Sequence, residues 1–171
     1  MVHEKLYDSL VATPVSAEDA VAGDIAWGAA RGLISGVLMM LVSMAMGILP
    51  VSVPSVLIIL VLMVFVGVLF ASLAMIVTSV SPSFDFFNYY TELVITPMLF
   101  FSGVFFPLDR FPAWMRSLAQ FMPLTHAVQI SRAVFSGEYH GRLVWNFLIL
   151  FVLEVVAFTI GVKMMKRRLI K

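Results

Sequence analysis

The chain has 171 residues, 61% of them hydrophobic and 12% charged. A soluble domain averages about 45–50% apolar and 25% charged residues, so this balance excludes an ordinary soluble globule and indicates an integral membrane protein. A formal net charge of +1 gives no ground for nucleic-acid binding, and the lack of cysteine excludes disulfides, thiolate metal sites and cysteine nucleophiles.

Residues 3–24 carry Glu4, Lys5, Asp8, Glu18, Asp19 and Asp24, a mixed stretch unlike the early apolar region of a signal peptide. Within it, residues 3–14 read as a short amphipathic helix ended by Pro14. Leu6, Tyr7, Leu10 and Val11 share one face, with Glu4, Lys5 and Asp8 off it. Periodicity alone leaves a loose N-terminal tail as the alternative.

Ser16-Ala17-Glu18-Asp19 fits a capping box, and its acidic first turn suits the positive end of a helix dipole. The spacing predicts a helix over 17–49, amphipathic first and purely apolar afterwards. From Gly32 to Phe84 there is no charged residue, a run far longer than the roughly 20 residues one crossing needs. Pro50 and Pro54 break it, so a second span is expected over 55–80, ended by Ser81-Pro82-Ser83.

The connector at 83–92 holds Phe84, Phe86, Phe87, Tyr89 and Tyr90, rings that suit a membrane interface. A third span is expected over 88–106. Pro97 can kink it by removing a backbone donor, and Gly103 permits close helix packing. Pro107 stops it.

Residues 107–142 then form two short amphipathic pieces separated by Pro123. In the first, Trp114, Met115, Leu118 and Phe121 share a face. In the second, His126, Gln129 and Arg132 make a polar stripe suited either to a polar or anionic headgroup or to water. Such pieces are too short to cross a bilayer and read as interfacial or re-entrant helices, or as a structured cap on the bundle. A fourth span is expected over 143–163, followed by a basic tail at 164–171.

The fold class is therefore all-α: a polytopic membrane protein of four transmembrane helices with short re-entrant or interfacial helices. Seven of the eleven Lys and Arg residues flank the side bearing both termini, so both termini are expected in the cytoplasm. His3, His126 and His140 lack the spacing of a metal-binding pair, and neither a P-loop nor a G-x-S-x-G elbow is present. No metal, cofactor or catalytic residue is expected. Glu154 lies near the middle of the last span, where an ionisable group is costly. It reads either as a functional group or as a hydrogen-bonded packing residue.

The run FDFFNYYTELVITPMLFFSGVFFPLDRFPAWMRSLAQFMPLTHAVQISRA resembles the signature region of ABC-2 type transporter permeases. YDSLVATPVSAEDAVAGDIAWGAARGLISG is similar to that family's cytoplasmic segment between its second and third spans. The likeness is nearest to permeases exporting lipo-oligosaccharides and to multidrug-like relatives. It implies that Leu6, Tyr7, Leu10, Ala12, Thr13 and Pro14 form a coupling helix docking on a separate ABC ATPase subunit. It implies external re-entrant helices over 107–142, placing Pro97, Gly103, Pro107, Trp114, Pro123, His126, Gln129 and Arg132 along a substrate path. A second permease copy, as a homodimer, and membrane lipid are the other implied partners. The resemblance covers helices three to six of a six-helix inner-membrane permease, and the first two spans are expected to be missing. A non-transport assembly subunit, an intramembrane enzyme or a non-functional permease fragment is the rival reading.

Overall fold

The computed structural model describes residues 16–48, 52–83, 85–137 and 141–169. The expected coupling helix at 3–14 lies outside the described residues, as does the end of the basic tail. Among the described residues every regular element is helical, in agreement with the all-α reading.

Helix α1 runs over Ala17–Ala45. Its start is the expected capping box: the Asp19 amide donates to Ser16 Oγ at 3.2 Å, and the Ser16 amide donates to the Asp19 carboxylate at 3.3 Å. Two of the amides that a helix start leaves unpaired are thereby satisfied. The helix ends at Ala45 rather than at residue 49, because Gly47 takes a positive φ of 68°. Helix α2 covers Val53–Val80, with Ser52 as N-cap and Pro54 in its first turn, where a missing amide hydrogen costs nothing.

The expected third span is built in pieces: α3 over Asp85–Tyr90, a π-helical turn over Thr91–Ile95, and α4 over Thr96–Phe101. Pro97 accounts for the break. It has no amide hydrogen and crowds the carbonyl four residues back, and a wider π turn relieves that clash. The helical run thus occupies 85–101 rather than 88–106. At about 1.5 Å per residue it measures about 25 Å, short of the roughly 30 Å hydrocarbon thickness. It stops at Ser102 and Gly103, whose φ of 91° turns the chain back.

A 3-10 turn at Leu108–Arg110 follows Pro107. Helix α5 spans Ala113–Gln120, and α6 spans Pro123–Ser136 with Pro123 in its first turn. Gly137 closes α6 in the left-handed conformation, with φ 73°. Helix α7, Arg142–Leu169, returns through the bundle.

Helix α2 is the axis of the molecule, packed against α1, α7 and α6. Small residues let α1 approach it. A side chain at Gly67 would meet the Ala29 carbonyl oxygen at 3.1 Å, and one at Gly28 would meet Ala71 Cβ at 3.1 Å. On the other side, a side chain at Gly161 of α7 would lie 3.2 Å from the Ser72 carbonyl oxygen. Close backbone approach is how membrane helices gain dispersion energy where lipid removes the hydrophobic drive. The main core joins Ile59, Leu62 and Leu69 of α2 to Ile130 and Val134 of α6 and Leu150 of α7. A smaller cluster of Val21, Ile25 and Met165 closes the other end. There Lys166 pairs with Glu18 at 2.5 Å, and Arg168 donates to the Thr78 carbonyl.

Among the described residues three helices, Glu18–Ala45, Val53–Val80 and Arg142–Arg168, are long and apolar enough to cross a membrane. Their outward faces carry many exposed large apolar side chains, among them Leu41, Leu57 and Val152. That pattern is wrong for water and right for acyl chains.

Candidate functional site

A groove of about 1010 Å³ opens between α1, α2 and α6. Gly28, Gly32, Gly67 and Ala71 form one part of its lining, with Phe70 and Val66 beside them. Ser131, Arg132 and Ser136 of α6 contribute the polar part. Ser55 Oγ donates to the Val134 carbonyl at 3.4 Å, which ties this half of α6 to the start of α2. The polar lining therefore lies toward one end of α2 and the glycine-rich lining toward its middle.

Within the stripe, His126 is buried and Gln129 half-buried, whereas Arg132 is exposed. His126 is only 5% exposed, so a water-facing role for it is ruled out by its packing. His126 Nε2 lies 2.9 Å from the Gln120 carbonyl oxygen, which can only accept, so this nitrogen carries the hydrogen and donates. Nδ1 lies 3.0 Å from Asn146 Oδ1, which also only accepts, so this contact is a hydrogen bond when Nδ1 carries a hydrogen as well. Asn146 Nδ2 in turn donates to Gln129 Oε1 at 3.0 Å. One imidazole thus ties the end of α5 to α6, and one amide ties α6 to α7. Arg132 reaches sideways and donates to the carbonyl oxygen of Gly103. That bond fixes α6 against the turn following α4, and no described carboxylate pairs with the guanidinium.

The remaining expected residues scatter. Pro97 lies just after the π turn, Gly103 is buried at the turn, and a side chain there would press on Leu108 at 3.2 Å. Pro107 precedes the 3-10 turn and Pro123 opens α6, so both act as chain breakers. Trp114 is exposed on α5 with Leu118 and Phe121, away from the His126 network. Glu154 is half-buried on α7, and its Oε2 has no hydrogen-bond partner among the described residues. Ser72 Oγ and Thr125 Oγ1 are likewise buried and unpartnered. Leu6, Tyr7, Leu10, Ala12, Thr13 and Pro14 lie outside the described residues.

Asn146 is the residue that sequence reasoning missed. It is 8% exposed and joins two members of the stripe. A signal was available: it is a lone amide in the first turn of an apolar span, and a buried amide must find partners. Among the described residues no group of three or more His, Asp or Glu could hold a metal ion. The arrangement is a structural polar lock beside an apolar groove with a cationic rim. Among the described residues it brings no nucleophile, base and oxyanion donor together in one place.

Comparison with known proteins agrees with this character. Residues 2–136 match the family model described as ABC-2 type transporter. Nodulation protein J of Sinorhizobium fredii is 36% identical over 99% of this chain and 64% of its own length. Nodulation protein J of Rhizobium leguminosarum bv. viciae is 32% identical over 100% of this chain and 65% of its own length. The inner membrane transport permease YadH of Escherichia coli is 28% identical over 88% of this chain and 58% of its own length. The chain thus spans a little under two thirds of the length of these relatives. No solved structure matches it significantly. With most of its length matched and three membrane-length apolar helices among the described residues, the chain belongs to the ABC-2 type transporter family of membrane proteins.

Proposed function

We propose that this chain is the membrane-spanning permease component of an ATP-driven exporter that moves an amphipathic substrate across the bacterial inner membrane. The observation that carries the reading is the family match over 2–136, joined to a bundle that offers a groove rather than a reaction centre. ATP hydrolysis belongs to a separate ATPase chain. The amphipathic segment 3–14 is its docking element, with Leu6, Tyr7 and Leu10 as the apolar contact. The capped helix α1 carries the push, because a continuous helix of 29 residues transmits displacement with little bending. A second permease copy completes the pathway. Both termini face the cytoplasm, with the short run 85–101 and the turn after it making the third of four crossings, so α5 and α6 lie at the outer surface. A lipo-oligosaccharide, which has a lipid-like part and a polar part, is one substrate of this class.

The test is a pull-down of the chain with its ABC ATPase partner after Leu6→Asp and Leu10→Asp are introduced together. The expected result is loss of ATPase co-purification with unchanged membrane insertion. Full retention of the ATPase by the double variant would remove the coupling role. Labelling a single cysteine at Trp114 or Lys171 in intact cells checks the orientation, and only position 114 should react with an impermeant reagent.

A further inference from the structure

We infer that the groove between α1, α2 and α6 is a binding site for one acyl chain of an anionic glycerophospholipid, with Arg132 holding its phosphate. The inference stands apart from the export reading, since it asks only which membrane lipid occupies this surface.

Length is the first argument. Along α2 the lining runs from Ile59 to Ala71. Twelve residues at 1.5 Å rise make about 18 Å. That approximates one leaflet, half of a hydrocarbon core about 30 Å thick. Both ends have suitable chemistry. The deep part is lined by Gly28, Gly32 and Phe70, which offer no polar side-chain atom. The other part holds Ser131, Arg132 and Ser136, tied by the Ser55–Val134 bond to the first turn of α2. An apolar slot one leaflet deep with a cation at its mouth matches a lipid standing upright.

Charge is the second argument. Arg132 donates to the Gly103 carbonyl and forms no ion pair with a described carboxylate. A guanidinium has five N–H donors, and a single carbonyl leaves most of them for a phosphate, whose oxygens match that planar fork. The Gly103 contact holds the side chain in place, so less rotamer freedom is lost on binding.

Gly32 makes the site testable. A β-carbon added there meets nothing within 4 Å, so a side chain at this lining position starts in open space. The measurement is native mass spectrometry of the purified full-length chain in detergent, titrated with phosphatidylglycerol and phosphatidylcholine of identical acyl chains. The expected result is about tenfold tighter binding of phosphatidylglycerol, the scale of one charge-assisted hydrogen bond. Arg132→Gln should erase that preference while phosphatidylcholine binding stays. Gly32→Phe should weaken both lipids.

Equal binding of the two lipids by the unaltered chain would overturn the proposal. So would unchanged phosphatidylglycerol binding in both variants. A photoreactive diazirine phosphatidylglycerol supplies a readout free of substitutions. Its label should fall on peptides containing 59–71 and 124–136, and labelling confined elsewhere counts against the site. The chain has no cysteine, so Gly32→Cys is a unique thiol for crosslinking in membranes. Its efficient capture by another protein helix would assign the groove to that helix and sink the lipid assignment.

Discussion

Helices α5 and α6 follow one another in the chain, and both are short and amphipathic, yet they are used in opposite ways. Helix α5 leaves its apolar face uncovered, with Phe121 83% and Trp114 62% exposed. Helix α6 buries its apolar face on α2 and α7, with Ile130 at 0%, and also buries the polar His126. Amphipathicity reports that a helix has two faces. It does not report which face meets protein, because in a membrane the apolar face can be covered by lipid at little cost. What distinguishes α6 is specific pairing: its polar side chains find partners on neighbouring segments, and that pairing selects a single orientation.

The contrast is broken most severely at its buried end. Ile130→Asp places an unpaired charge at a fully enclosed position and should cost about 3–5 kcal/mol. Size-exclusion chromatography in detergent should show loss of the folded peak. Phe121→Asp on α5 should leave that peak in place.

The polar lock comes next. Asn146→Leu strands His126 Nδ1 and Gln129, and His126→Ala frees the Gln120 carbonyl, each for about 1–3 kcal/mol. In a double-mutant cycle the two should fall short of additivity by about 0.5–3 kcal/mol, since they share one network. Full additivity would show that the imidazole and the amide act independently. Thermal unfolding followed by tryptophan fluorescence gives the readout.

Two glycines separate packed from open surface within α1 and α2. Gly67→Leu drives a side chain into the Ala29 backbone and should lose about 1–3 kcal/mol. Gly32→Ala meets no neighbour and should gain up to about 1 kcal/mol from helix propensity alone. The smallest stability effect belongs to α5. Leu118→Ser should change stability by no more than about 0.5 kcal/mol. It should instead move Trp114 outward, seen as weaker quenching of its fluorescence by brominated lipid. Unchanged quenching would mean that the exposed face of α5 does not touch the bilayer.

Legibility in the sequence varied with the range of the interaction. The Ser16–Asp19 box, the Pro54 start and the Gly137 stop are each decided within four residues, and each could be read by eye. The apolar run from Gly32 to Phe84 announced a membrane helix pair through composition alone. The third span was harder. Pro97 is legible as a kink, but the early stop at Phe101 depends on the turn at Gly103, which has Leu108 packed close against it. The site was the least legible part. His126, Gln129 and Arg132 were visible as a stripe, whereas Asn146, seventeen residues beyond Gln129, passed unnoticed inside an apolar helix.

Composition and local spacing were sufficient for the membrane class and the chain breaks. These follow from transfer energies and backbone sterics, which act residue by residue. Tertiary structure alone decided that α6 faces inward and α5 outward, that Asn146 completes the polar lock, and that α1, α2 and α6 leave a groove with Arg132 at its mouth. Those features need partners on segments distant in the chain, and no local rule specifies which buried donor will meet which acceptor.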